Sequence, residues 1–151
     1  MHRIAEQTSI LTSLEEVFAV LVDPANDRRW RAAVESVERL SGAAGAPGAV
    51  YRQRVGVPGG TATALVEIVD VAPPRAVTFA VREPVRARGG YELAADGPRV
   101  AVRFWLELAP SRGLRAVADR LVAAAIGHGA RTDLERLRAL LEDSDSADGR
   151  P

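Results

Sequence analysis

Between Leu114 and Leu141 the sequence contains no proline, and apolar residues recur at Leu114, Val117, Ala118, Leu121, Val122, Ala125 and Ile126. That spacing is one face of an amphipathic helix, and it is the longest helical signal in the chain. Almost everything between Val34 and Leu108 reads instead as strands and turns. Strands do not alternate with helices, so a parallel β-α-β arrangement is excluded. A sheet that buries one face needs a cover, and this helix is the one large element available to supply it. The fold class that follows is α+β: an antiparallel sheet of about six to seven strands wrapped on a long C-terminal helix.

The smaller elements fit that frame. Residues 2–11 read as a first strand. Ser13 followed by Glu16 is a capping box, so a helix starts after Ser13 and carries Val17, Phe18, Leu21 and Val22 on one side. Pro24 suits the first turn of a second short helix running to Trp30. Val34–Leu40 alternates as a strand. Gly42–Gly48 is a connector, and with no helix after it, it is not a dinucleotide fingerprint. Val57-Pro58-Gly59-Gly60-Thr61 marks a hairpin between Val50–Val57 and Ala62–Val71. Val77–Arg82, Val85–Leu93 and Arg99–Leu108 complete the strands. In the last of these, Val100, Val102, Phe104, Leu106 and Leu108 share one face. In the long helix the apolar stripe shifts after Gly129 to Leu134, Leu137 and Leu141, so a kink or thinning is expected at Gly127 and Gly129. Residues 1–142 form one domain, and 143–151 read as a polar, disordered tail.

Composition removes several chemistries. Cysteine is absent, and all 20 basic residues are arginine. Disulfides, thiolate sites, a lysine Schiff base and a phosphate-loop lysine are therefore excluded. His2 and His128 are the two histidines, too few for a three-histidine metal site. No motif calls for a cofactor. Basic and acidic residues balance at 20 each, so no net field gathers nucleic acid. The N-terminal segment lacks the apolar stretch of a signal peptide, and no apolar run is long enough to span a bilayer. The expectation is a soluble cytoplasmic protein without membrane insertion.

Three segments resemble the START-like (SRPBCC) superfamily, in its polyketide cyclase/dehydrase branch. They are Ser9–Asp23 with the later Trp30, Val71–Phe79 with its Pro73-Pro74 pair, and Asp133–Glu142. The resemblance covers nearly the whole chain. It implies a helix-grip fold with a deep cavity between sheet and helix that holds an apolar ligand. The segment Pro24-Ala-Asn-Asp-Arg-Arg-Trp-Arg departs from the family pattern, which carries Trp-Pro or Trp-Asn-Pro there.

Candidate ligand contacts follow from parity and from the resemblance. Trp30 is either a lid residue at the pocket mouth or a packing residue. Tyr51, Gln53, Phe79, Tyr91 and Phe104 fall on the apolar parity of their strands. Buried phenols need a polar partner, and a ligand oxygen would serve Tyr51 or Tyr91. His128, between Gly127 and Gly129, is either a general acid or base or a half-exposed flank residue. The small side chains around Ala125 and Gly129 leave either tight helix–sheet contact or a cavity floor. Tyr51, Tyr91 and His128 are the candidate proton carriers, and no metal site is expected. Glu67, Glu83 and Glu92 read as solvated residues rather than paired catalytic acids.

The functional expectation is binding of a small hydrophobic molecule, lipid- or polyketide-like. One alternative is a cyclase or dehydratase acting on an aromatic polyketide precursor. Another is an interaction protein using an outer face rich in arginine: Arg52, Arg54, Arg82, Arg86, Arg88 and Arg103. Trp105, on that otherwise polar face, is a possible contact point, but the sequence sets no oligomeric state.

Overall fold

The computed structural model describes residues 2–83, 85–110 and 112–148, with the side chains of 2, 119, 121–128 and 144–148 outside the described set. The elements are β1 (His2–Ile10), α1 (Leu14–Val22), a 3-10 helix (Pro24–Arg29), β2 (Val34–Ser41), β3 (Val50–Val57), β4 (Gly60–Ala72), β5 (Ala76–Glu83), β6 (Ala87–Asp96), β7 (Arg99–Leu108) and α2 (Leu114–Asp148). The seven strands form one sheet in the order β1-β7-β6-β5-β4-β3-β2, antiparallel throughout. Among the described residues, no helix is long and apolar enough to cross a membrane.

Local chemistry sets these elements. Ser13 caps α1, its hydroxyl accepting the Glu16 N–H at 3.2 Å. Glu15 and Glu16 place negative charge at the positive end of the helix. The reciprocal half of the capping box is rerouted, because the Glu16 carboxylate accepts the Thr12 hydroxyl. Asp23 then caps the 3-10 helix by accepting the Ala25 N–H at 3.0 Å. The hairpin between β3 and β4 closes at Val57 and Gly60, and Gly59, at φ +87°, takes the turn position that excludes most side chains.

The sheet is bent. Register shifts in the β4–β5 ladder fall between Leu65 and Val66 and between Ile68 and Asp70, where an extra residue sharpens the local twist. At Gly90 of β6, a Cβ would lie 2.4 Å from the Val77 carbonyl oxygen, so the two strands approach as only glycine permits. The concave face carries Tyr51, Ile68, Val77, Tyr91, Leu93, Val100 and Val102.

The helix α2 covers part of that face. Leu134, Leu137 and Leu141 are buried against it, together with Ile10, Val17 and Leu21. Leu114 is 90% exposed and Val117 55% exposed. Among the described residues, the core positions of α2 are thus Leu134, Leu137 and Leu141, while the start of the apolar stripe, Leu114 and Val117, is exposed. The assigned helix is unbroken across Gly127 and Gly129 and continues through Asp148, six residues into the stretch expected to be a tail. Residues 149–151 lie outside the described residues.

Candidate functional site

One helix is narrower than seven strands, and the uncovered part of the concave face opens into a cavity of about 450 Å³. A second, smaller core of Ile4, Leu106 and Leu108, with Phe79 and Phe104 packed against it, lies along β1 and β7. Phe79 and Phe104 pack against both clusters, and together with Leu106 and Leu108 they line the cavity. Val55, Val57, Ala62 and Ala64 line it from β3 and β4, and Gly129, Ala130 and Leu134 line it from α2. Most of this wall is aliphatic or aromatic.

Its polar groups are gathered at one end. Asp27, from the 3-10 helix, is 7% exposed, and Gln53, from β3, is 2% exposed. The Gln53 amide donates to Asp27 Oδ2 at 2.8 Å, and Arg31 Nη1 donates to the same oxygen at 3.1 Å. Arg31 Nη1 also reaches Gln53 Oε1 at 3.4 Å. A carboxylate cannot be buried without such partners. Burial pushes the Asp27 carboxyl above its ordinary range, opposed by the Arg31 charge and the Gln53 hydrogen bond. Asp133, from α2, accepts the Ala32 N–H at 3.1 Å and so ties the helix to the segment entering β2. Its carboxyl is also raised by burial, opposed by that N–H and by Arg31.

Tyr91 stands beside this network. Its ring is held by Trp30, Phe79 and Phe104, with centroids 6.0, 5.9 and 5.6 Å away. The phenol is 6% exposed, and no hydrogen bond from a described residue acts on its hydroxyl. Burial, followed by the negative charge of Asp27, drives its pKa far upward. It therefore stays protonated and can donate. The Trp30 indole N–H is buried without a hydrogen-bond partner among the described residues.

Several residues expected from the sequence thus come together: Trp30, Gln53, Phe79, Tyr91, Phe104 and Gly129 all line the cavity. Gln53 does so as a bonded support for Asp27 rather than as a free amide. Tyr51 does not belong to the lining. It is fully buried, and its hydroxyl accepts the Gly45 N–H at 3.0 Å, so its polar partner is the Gly42–Gly48 connector rather than a ligand. The side chains of Ala125 and His128 lie outside the described residues. Asp27, Arg31 and Asp133 were not singled out by sequence reasoning. Asp27 and Arg31 occur as charged residues in and just after the 3-10 helix, and Asp133 lies mid-way along α2 beside the core residue Leu134, so no strand parity assigns these positions inward.

The outer face is laced with ion pairs. Arg52 meets Glu38, Arg82 meets Glu67, Arg103 meets Glu92 at 3.1 Å, and Arg3 meets Glu107 at 3.0 Å. Trp105 lies beneath the Arg3 guanidinium, 5.7 Å from its ring centroid. Exposed pairs of this kind contribute roughly 0–1 kcal/mol each.

The comparisons with known proteins agree with this architecture. An aromatase/cyclase, Zhui, from Streptomyces sp. R1128 superposes with a TM-score of 0.84 at 18% identity, over 99% of each chain. A protein from Thermus thermophilus gives 0.76 at 17% identity, over 99% of this chain and 100% of its own. The ginseng major latex-like protein 151 from Panax ginseng gives 0.63 at 17% identity, over 87% and 97%. At these identities the likeness is one of fold, the helix-grip fold of the START-like superfamily. No curated protein sequence matches the chain. The model of one family, described as polyketide cyclase / dehydrase and lipid transport, matches residues 1–142. The chain belongs to that family.

Proposed function

We propose that the protein binds a small, largely apolar molecule, lipid- or polyketide-like, in the cavity between the sheet and α2. The observation that carries this reading is the cavity itself: about 450 Å³, walled by apolar side chains, with its polar groups gathered at one end. That size and that distribution are typical of sites for small organic ligands. The family description, which joins cyclases and dehydrases with lipid transport, supports the same class of ligand. A chain without cysteine suits a reducing compartment, and the cytoplasm is the proposed location. Native mass spectrometry of the purified protein, followed by organic extraction, tests the binding. A co-purified apolar molecule is expected. A clean apo mass, with no thermal stabilisation by a panel of aromatic polyketides and lipids, would overturn it.

A second reading is catalysis of polyketide cyclisation or dehydration. Tyr91 favours it, as a protonated phenol held by three aromatic rings beside the Asp27–Arg31 pair. Such a group can polarise a carbonyl or deliver a proton, while the cavity wall fixes the shape of a flexible chain. An unchanged product profile in a Tyr91→Phe, His128→Ala double variant would remove the proton-carrying roles of these residues, and absence of any product from the wild type would remove this reading.

A further inference from the structure

We propose that the cavity selects neutral ligands that present a hydrogen-bond-accepting oxygen, such as a ketone or ester carbonyl, to the Tyr91 hydroxyl, and that it rejects the matching carboxylic acids. This deepens the reading of the cavity as a ligand site and rests on it. Tyr91 lines the cavity, and three surrounding rings fix where its hydroxyl stands. No described residue hydrogen-bonds to that hydroxyl. Because Tyr91 lines the cavity, a ligand oxygen that accepts from its hydroxyl gains a hydrogen bond shielded from bulk water. Trp30, with its ring centroid 6.0 Å from that of Tyr91, brings a second N–H donor without a partner among the described residues.

Charge decides which acceptor. The groups acting on the Tyr91 hydroxyl are Asp27, Arg31 and Asp133. Arg31 is committed to Asp27 at 3.1 Å and to Gln53 at 3.4 Å, so its charge is matched within the network. Asp133 remains as an additional carboxylate. An anionic head group would lose its hydration in a largely apolar cavity and meet two carboxylates, Asp27 and Asp133, whose charges are already offset by Arg31 and Arg136, so no cation is left to compensate that loss. A neutral carbonyl satisfies the donors and brings no charge.

Calorimetric titration of the full chain at neutral pH, with three probes of one size, tests this. The probes are acetylnaphthalene, ethylnaphthalene and naphthoate. Acetylnaphthalene is expected to bind about five- to tenfold tighter than ethylnaphthalene, the equivalent of one hydrogen bond, and naphthoate to bind weakest. Tyr91→Phe, which keeps the ring, should bring acetylnaphthalene down to the affinity of ethylnaphthalene and leave the latter unchanged. Asp133→Asn should raise naphthoate affinity several-fold while preserving an acceptor for the Ala32 N–H. Naphthoate binding as tightly as acetylnaphthalene, or a ketone preference that survives Tyr91→Phe, would overturn the inference. Ethylnaphthalene binding with no advantage for the ketone would overturn it too, leaving the ligand-site reading intact. Failure of all three probes to bind would overturn both.

Discussion

Asp27 is a carboxylate placed where solvation is poor and kept there by two side chains, Gln53 and Arg31. Its carboxyl is raised above the ordinary range chiefly by burial. The folded state therefore holds the Asp27 proton more tightly than the unfolded state does. The stability contributed by this group is greatest at low pH and falls as pH rises from the ordinary carboxylate range through the folded value. Urea unfolding of the wild type and of Asp27→Asn across pH 3–6 checks the sign. The wild type should lose stability relative to the variant as pH rises, by at most about 1.4 kcal/mol per pH unit over that window. A difference that is flat, or that rises with pH, would show that the ion pair outweighs burial. Single residues were also where sequence reasoning reached least far. Tyr51 and Tyr91 share the same inward parity, yet one phenol closes on the Gly45 N–H and the other faces the cavity. That difference depends on where a distant connector folds back, which period-two patterning does not encode. Asp27 and Arg31 escape the same rule, because the 3-10 helix that holds Asp27 has neither the period of a strand nor that of an α-helix, and Arg31 lies in the irregular segment after it.

At the scale of elements, α2 is anchored at its C-terminal half. Glu142 gathers three donors: the Leu11 N–H at 3.0 Å, Arg99 Nη2 at 3.3 Å and Arg138 Nε at 3.3 Å. Arg99 also holds the end of β1 through the Ser9 hydroxyl and carbonyl, at 2.8 and 2.9 Å. One carboxylate thus joins the helix, the first strand and the last strand. The Leu11 N–H is the largest cause lowering the Glu142 pKa. Its sign is opposite to that of Asp27: the contribution is present above the unfolded value and is lost as pH falls through the folded one. Glu142→Gln should cost roughly 1 kcal/mol at neutral pH, and less in acid, where the wild type has lost the same charge. A variant as stable as the wild type at pH 7 in urea titrations would place the anchor elsewhere. The helix itself was legible from its proline-free apolar stripe, and so was its role as the cover of the sheet. How far the cover extends was not. Leu114 and Leu134 carry the same apolar signal, yet one is exposed and the other is core, because the sheet lies under only part of the helix.

At the scale of the whole molecule, the cavity follows from a mismatch between a bent seven-stranded sheet and one helix that covers part of it. The succession of strands along the chain and the alternation in β7 were legible, since half-buried strands repeat every two residues; the order of the strands within the sheet was not. An empty space leaves no pattern of its own, and its one trace in the sequence was the small-residue stretch of α2. Gly129 belongs to that stretch and lines the cavity, and a Cβ built there meets nothing within 4 Å. Its backbone is helical, without the positive φ that would demand glycine. Two effects of Gly129→Leu can therefore be separated. Replacing glycine in a helix interior with a good helix former should raise stability by about 1 kcal/mol. The same side chain enters space that a ligand would occupy, and should weaken probe binding at least tenfold, about 1.4 kcal/mol or more. Chemical denaturation and calorimetry on one sample read both. Higher stability with lost binding would mean that the glycine is kept for the cavity. Lower stability would mean that the volume is already committed to packing, and unchanged affinity would mean that the ligand lies elsewhere.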